Sequence, residues 1–102
     1  MISSFRWEVI ERCRALAPSI GTAWLCLDVP AGTAERLAAA GHRAVHPYYR
    51  LLGEQVVGEC HAAGVEVNVW TCDSPSAIRL LAGWGVDGFC TNVPDVARQA
   101  LG

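Results

Sequence analysis

Short apolar runs alternate with helix-patterned stretches along the whole chain. That alternation limits the fold more than any other feature. Ile2 to Phe5 reads as a strand, and Arg6 to Ala17 places Trp7, Ile10, Cys13 or Arg14 and Ala17 at helical spacing before Pro18. Thr22 to Asp28 (TAWLCLD) reads as a second strand, and Gly32 to Ala40 as an alanine-rich helix ended by Gly41. Ala44 to His46 reads as a short strand stopped by Pro47. Tyr49 to Ala63 reads as a helix with Leu52, Val56, Cys60 and Ala63 on one face and Gly64 as its stop. Val65 to Thr71 is a strand, and Ser74 to Gly83 a helix with Ser74 as N-cap and Pro75 in its first turn, where the missing N–H costs nothing. Val86 to Thr91 and Pro94 to Leu101 complete the series as strand and helix. Strands separated by helices are parallel strands, with helices packed on at least one face of the sheet.

The stretch Val65-Glu66-Val67-Asn68-Val69-Trp70-Thr71 narrows the choice. Val65, Val67 and Val69 suit a face covered by helices. Glu66, Asn68 and Trp70 suit a face that looks elsewhere. An open doubly wound sheet is buried on both faces and reads as a continuous apolar run. In a (β/α) barrel only the outer face lies under helices, and the inner face turns polar toward the strand C-termini. The same split is expected in the second strand, with Ala23, Leu25 and Leu27 toward the helices and Trp24, Cys26 and Asp28 inward. Polar residues collect at the strand C-ends: Asp28, Thr71, Asp73, Thr91 and Asn92. That edge carries the active site in both α/β classes. Asp73, Ser74 and Asn92 also suit simple capping of the helices that follow.

Composition removes several function classes. A hydrophobic fraction of 52% in 102 residues supports one small core, without a linker or internal boundary, so residues 1–102 read as a single domain or part of one. A net charge of −2 and the lack of a basic cluster argue against an electrostatic nucleic-acid or anionic-membrane partner. All eight basic residues are arginine, which leaves no lysine for a Schiff base or a phosphate cradle. No apolar run approaches the roughly 18 residues of a membrane span. The opening MISSFRWEVIERC lacks the layout of a signal peptide. Five cysteines, an odd number without a CxxC, read as small buried thiols in a reducing, cytoplasmic compartment.

The stretch VNVWTCDSPSAIRLLAGWGVDGFCTNVPD, residues 67–95, resembles the C-terminal signature of the glycerophosphodiester phosphodiesterase family. In that family a strand ending Trp-Thr-Val-Asn precedes a helix and then Gly-Val-Asp-Gly-Ile-x-Thr-Asp-x-Pro. Here the order runs from Trp70-Thr71 through Gly85-Val86-Asp87-Gly88 to Thr91-Asn92-Val93-Pro94-Asp95. Ser3-Ser4-Phe5 resembles the Ser-Phe that ends a mid-barrel strand, and Ala44-Val45-His46-Pro47 a later short strand. The resemblance covers residues 2 to 101. It implies the C-terminal half of a (β/α)8 TIM barrel of the phospholipase-C-like type, with four or five parallel strands alternating with helices.

The resemblance also implies a chemistry. The family's hydrolases cleave glycerophosphodiesters to an alcohol and glycerol 3-phosphate, using two histidines as acid and base and a divalent metal, calcium or magnesium, held by glutamates and an aspartate. The cation neutralises phosphate charge while protons move at the attacking and leaving oxygens. The family motifs that supply these groups (His-Arg-Gly with Pro-Glu-Asn, Glu-x-Asp, His-Asp and Glu-x-Lys) precede the Ser-Phe strand, and none occurs here. Catalytic residues and metal ligands are therefore expected to be missing, with no cofactor bound by this chain. Gly41-His42-Arg43-Ala44 imitates His-Arg-Gly, but it follows a helix and no Pro-Glu-Asn comes after it. His42 and His46 stand four apart, a metal-ligand spacing only on a helix, and Pro47 argues for an extended segment. His61 reads as a surface residue, and the Gly85–Gly88 turn as structural.

By the same resemblance Phe5 and Trp70 are the substrate-binding residues, lining the pocket beside the glycerol or alcohol moiety. Trp24 and Asn92 are weaker candidates. The implied function is that of the C-terminal portion of a phosphodiesterase, inactive alone, its substrate bound once an N-terminal half completes the barrel. The alternative is a non-catalytic half-barrel module that forms a homodimer through open strand edges. A flavodoxin-like ligand-binding or receiver domain fits least, because Ser3-Ser4-Phe5-Arg6 supplies neither a phosphate cradle nor an acidic pocket.

Overall fold

The computed structural model describes residues 1–102. Five strands, β1 (Ile2–Ser4), β2 (Thr22–Cys26), β3 (Ala44–Pro47), β4 (Glu66–Val69) and β5 (Gly88–Phe89), alternate with five helices, α1 (Trp7–Leu16), α2 (Thr33–Ala39), α3 (Glu54–Ala62), α4 (Pro75–Gly83) and α5 (Pro94–Leu101). The strands pair in sequence order, all parallel. Crossovers between parallel strands are right-handed. When the order never reverses, every crossover lands on the same side of the sheet, as it does in a barrel and not in a doubly wound sheet. The result is the C-terminal half of a (β/α)8 barrel.

The core lies between the sheet and this single helix layer. Ile10 of α1, Leu37 of α2, Val57 of α3 and Ile78 of α4 are fully buried, as are Val45, Val67 and Val69 of the sheet. The alternation of β4 falls as the sequence predicts: its valines are buried, and Glu66, Asn68 and Trp70 are half-buried.

In β2 the faces are reversed from expectation. Register places Trp24 beside Val45, and Val45 beside Val67, while Leu25 stands beside His46. Neighbours in a parallel ladder share a face. Trp24 and Cys26 therefore point into the helix layer, where Trp24 meets Trp7 edge-on with ring centroids 5.9 Å apart. Leu25 points to the bare side. Both halves of TAWLCLD are largely apolar, so the alternation defines two faces without saying which is which.

The expected helix from Tyr49 to Ala63 is also broken. Tyr49–Leu51 forms a 3-10 turn, Leu52 and Gly53 are extended with ψ of 136° and 157°, and α3 begins at Glu54. The extended geometry carries Leu52 into the core, where it is 7% exposed. The last strand shortens to two residues, Gly88–Phe89, at an edge of the sheet.

The helix-to-strand turns repeat one device. At the end of α3, Gly64 adopts φ of +79°, and the Val65 N–H reaches back to the Cys60 carbonyl at 2.9 Å. Only glycine takes this left-handed position without a Cβ penalty. Gly41 and Gly85 do the same after α2 and α4, returning the N–H of His42 to Leu37 and that of Val86 to Leu81. At the start of α4, Ser74 Oγ accepts the Ala77 N–H and Pro75 occupies the first turn, as expected.

His42 follows one of these glycines and is buried. Its Nδ1 lies 2.6 Å from Thr22 Oγ1, its Nε2 lies 2.5 Å from a Glu11 carboxylate oxygen, and its ring stands edge-on to Trp7. The residue ties α1 to the start of β2 and β3. It is a structural clasp, far from the strand C-termini.

Leu37→Ala and Ile78→Ala each remove a fully buried side chain, and we expect each to destabilise the fold by about 2–5 kcal/mol. Leu80→Ala, on the exposed face of α4, is expected to change stability by no more than about 0.5 kcal/mol. Urea unfolding of the three variants checks the ranking.

Candidate functional site

The sheet face opposite the helices carries a cleft of about 410 Å³, lined by Ser3, Leu25, His46, Asn68, Trp70 and Cys90 among others. Trp70, one of its lining residues, belongs to an aromatic cluster. Phe5, just past β1, meets Trp70, just past β4, edge-on with ring centroids 5.9 Å apart and planes at 88°. Tyr48 lies tilted against Trp70 with ring centroids 5.1 Å apart and meets Tyr49 edge-on. Aromatic pairs prefer these offset and perpendicular arrangements, which set the negative ring face against the positive edge.

Trp70 is fixed by the main chain on both sides. Its N–H donates to the Pro47 carbonyl at 3.2 Å, and its carbonyl accepts the Tyr49 N–H at 3.0 Å. Its indole N–H donates to the His46 carbonyl at 2.7 Å. Phe5 is 54% exposed, and its carbonyl accepts the indole N–H of Trp24 at 3.1 Å. The two residues expected from the sequence thus touch each other, although they follow the first and fourth strands, and of the two Trp70 lines the cleft. Trp24 does not join them, because the phase of β2 sends its ring into the helix layer.

Beneath Trp70 the cleft is polar. Asn68 Nδ2 lies 3.1 Å from His46 Nε2. Burial lowers the His46 pKa below its ordinary 6.5, outweighing the opposing pull of Glu66. The pattern of β4 placed Asn68 on this face. Nothing in the sequence identified His46 as its partner, since that pairing depends on the register of β3 against β4.

The polar residues at the other strand ends are engaged in structure. Asp73 Oδ1 accepts the Thr91 hydroxyl and the Asn92 N–H, both at 2.8 Å, and Oδ2 accepts the Asn92 side-chain amide at 3.3 Å. These bonds, led by the Asn92 N–H, hold the Asp73 carboxyl below the ordinary carboxylate value. Of the three residues expected to cap helices, only Ser74 does so. Asp73 and Asn92 clamp the ends of β4 and β5 together instead. Asp87, in the glycine-flanked turn, accepts the Val67 N–H at 2.7 Å and pairs with His61 at 2.8 Å. That turn is structural, and His61 has a specific partner that the sequence did not announce. Nowhere do three histidine, cysteine, aspartate or glutamate side chains converge as a metal-binding group. The residues of this chain do not form a ligand set for the divalent cation that the resemblance implies.

Residues 1–96 match the family model described as the glycerophosphoryl diester phosphodiesterase family. The chain belongs to this family. It is 31% identical over 98 residues to a glycerophosphodiester phosphodiesterase of Caldanaerobacter subterraneus subsp. tengcongensis, a match covering 93% of this chain and 39% of that protein. Among solved structures it resembles an Oleispira antarctica phosphodiesterase in complex with the product sn-glycerol-3-phosphate, with a TM-score of 0.90 and 25% identity, covering 97% of this chain and 40% of the other. A glycerophosphodiester phosphodiesterase from Parabacteroides distasonis shares the fold with a TM-score of 0.84 at 24% identity, over 97% of this chain and 41% of that one. The chain spans about two fifths of the length of the curated relatives it matches.

The His46 shift has a definite sign. The folded state holds the imidazole neutral at pH values where the unfolded chain binds a proton. The contribution is complete above the unfolded value of 6.5 and is lost as the pH falls through the lower folded value. Urea midpoints measured at successively lower pH below 6.5 are expected to fall faster for the wild type than for His46→Gln. Parallel curves would exclude His46 as a source of acid sensitivity.

Proposed function

We propose that residues 1–102 form a single partial domain, the C-terminal portion of a glycerophosphodiester phosphodiesterase. In this reading the chain supplies the aromatic wall of the substrate cleft, and the groups that move protons and hold the cation belong to the rest of the barrel. The observation that carries it is the Phe5–Trp70 contact at the C-terminal edge of the strands, 5.9 Å between rings, in a chain that belongs to the family. Phe5 and Trp70 pack against the glycerol or alcohol moiety and keep water from it, while phosphate chemistry proceeds above them. The chain by itself has no hydrolase activity. It works in the cytoplasm, where five unpaired cysteines remain reduced. Burial pushes the thiols of Cys26 and Cys60 up to about 12 and about 11, so neither supplies a thiolate for chemistry.

A second reading draws on the sheet edges. β1 and β5 each pair on one side only, and one sheet face is bare of helices. A homodimer that covers this face would be a binding module with no catalytic role. Sedimentation of the isolated chain as a folded monomer would exclude it.

Hydrolysis of a glycerophosphodiester with added calcium or magnesium is expected to be absent from the chain alone. It is expected to appear when the chain is mixed with the N-terminal half of a family member. Turnover by the 102-residue chain unaided would overturn the reading. In the reconstituted enzyme Trp70→Ala is expected to lower kcat/KM about tenfold or more, because burying substrate on a large apolar side chain contributes about 1.5–3 kcal/mol.

A further inference from the structure

We propose that Gly88, Asn68 and His46 form a positioning relay for Trp70, in which the bare backbone of β5 sets the side chain on which the aromatic wall rests. Three observations from three strands converge on it. First, register places Asn68 beside Gly88 on the cleft face. A Cβ built on Gly88 would lie 2.6 Å from Asn68 Oδ1, closer than such contacts occur. The Asn68 amide occupies the space that a side chain at position 88 would fill. Secondly, with its oxygen seated over Gly88, Asn68 presents its Nδ2 to His46 Nε2 at 3.1 Å. The neutral imidazole, kept so by burial, accepts this bond. Thirdly, the His46 carbonyl accepts the Trp70 indole N–H at 2.7 Å.

The relay gives Gly88 a reason to lack a side chain that differs from backbone freedom, since Gly88 is not among the glycines with positive φ. It also gives a role to the inward amide of β4, which makes no contact with an opposing charge. Displacing the amide frees the His46 ring from its only hydrogen-bonding side-chain partner, in the residue whose carbonyl anchors the indole. Asn68 and His46 are positioning residues, and Trp70 is the group they place. That Trp70 then meets substrate rests on the function proposed above; the relay itself does not.

The test follows the four indole N–H resonances in 1H–15N spectra of the full chain, with Trp70 assigned through Trp70→Phe. In Asn68→Ala and in Gly88→Ala the Trp70 resonance is expected to move by more than its linewidth, while those of Trp7, Trp24 and Trp84 stay in place. Adding Gly88→Ala to Asn68→Ala is expected to cause no further movement, because the amide that the new methyl would strike is gone. A Trp70 resonance unmoved in Asn68→Ala, or equal additive shifts in the double variant, overturns the relay. Should Gly88→Ala fail to fold alone, Asn68→Ala and the double variant decide the question between them. Titration with sn-glycerol 3-phosphate of the chain reconstituted with the N-terminal half of a family member is a separate arm: a Trp70 resonance insensitive to it speaks against the substrate reading and leaves the relay standing on its own spectra.

Discussion

The handedness of the crossovers governs this structure. Five parallel strands stand in unbroken order with a helix between each pair, and the right-handed rule for such crossovers puts every helix on one side of the sheet. The other side receives no helix. The exposure of the inner face is a consequence of that asymmetry. The valines of β4 are fully buried because helices cover them, and Asn68 and Trp70, one residue away, are only half-buried because none does.

The two ends of the strands are built differently. Helix-to-strand turns are short and close with a left-handed glycine and one return hydrogen bond, at Gly41, Gly64 and Gly85. Strand-to-helix loops carry Phe5, Tyr48, Tyr49, Trp70 and the Asp73 clamp. This is the division of labour expected of a barrel, with stability at the N-terminal edge and chemistry at the C-terminal edge. The 3-10 turn at Tyr49–Leu51 belongs to it: breaking the helix there sends Leu52 into the core and leaves Tyr48 and Tyr49 beside Trp70.

Most histidines and several carboxylates of this chain are engaged in construction. His42 joins Glu11 to Thr22, His61 joins Asp87, and Asp73 holds Thr91 and Asn92. Each would attract attention as a candidate for chemistry in a sequence scan. Their partners, fixed and local to the scaffold, assign them otherwise. His46 differs, because its ring faces the cleft and its single side-chain partner is an amide that itself depends on a glycine.

The order of elements, the parallel sheet and the helix-facing valines of β4 were legible in the sequence, because they rest on periodicity and on residues with one conformational use: Ser74 and Pro75 at a helix start, Gly41 and Gly64 at helix ends. Motif resemblance singled out Phe5 and Trp70 one by one, and only the tertiary structure brought their rings together. The phase of β2 was not, since Trp24 and Leu25 are both apolar and only hydrogen-bond register with β3 separates them. The break at Gly53 was not, since the apolar spacing of Leu52 and Val56 is also that of an intact helix. The His46–Asn68–Gly88 row joins three strands whose members lie 20 or more residues apart, and no local pattern encodes the register that aligns them. Local periodicity fixes which residues share a strand face; side-chain neighbours across strands are fixed only when the sheet closes its hydrogen bonds.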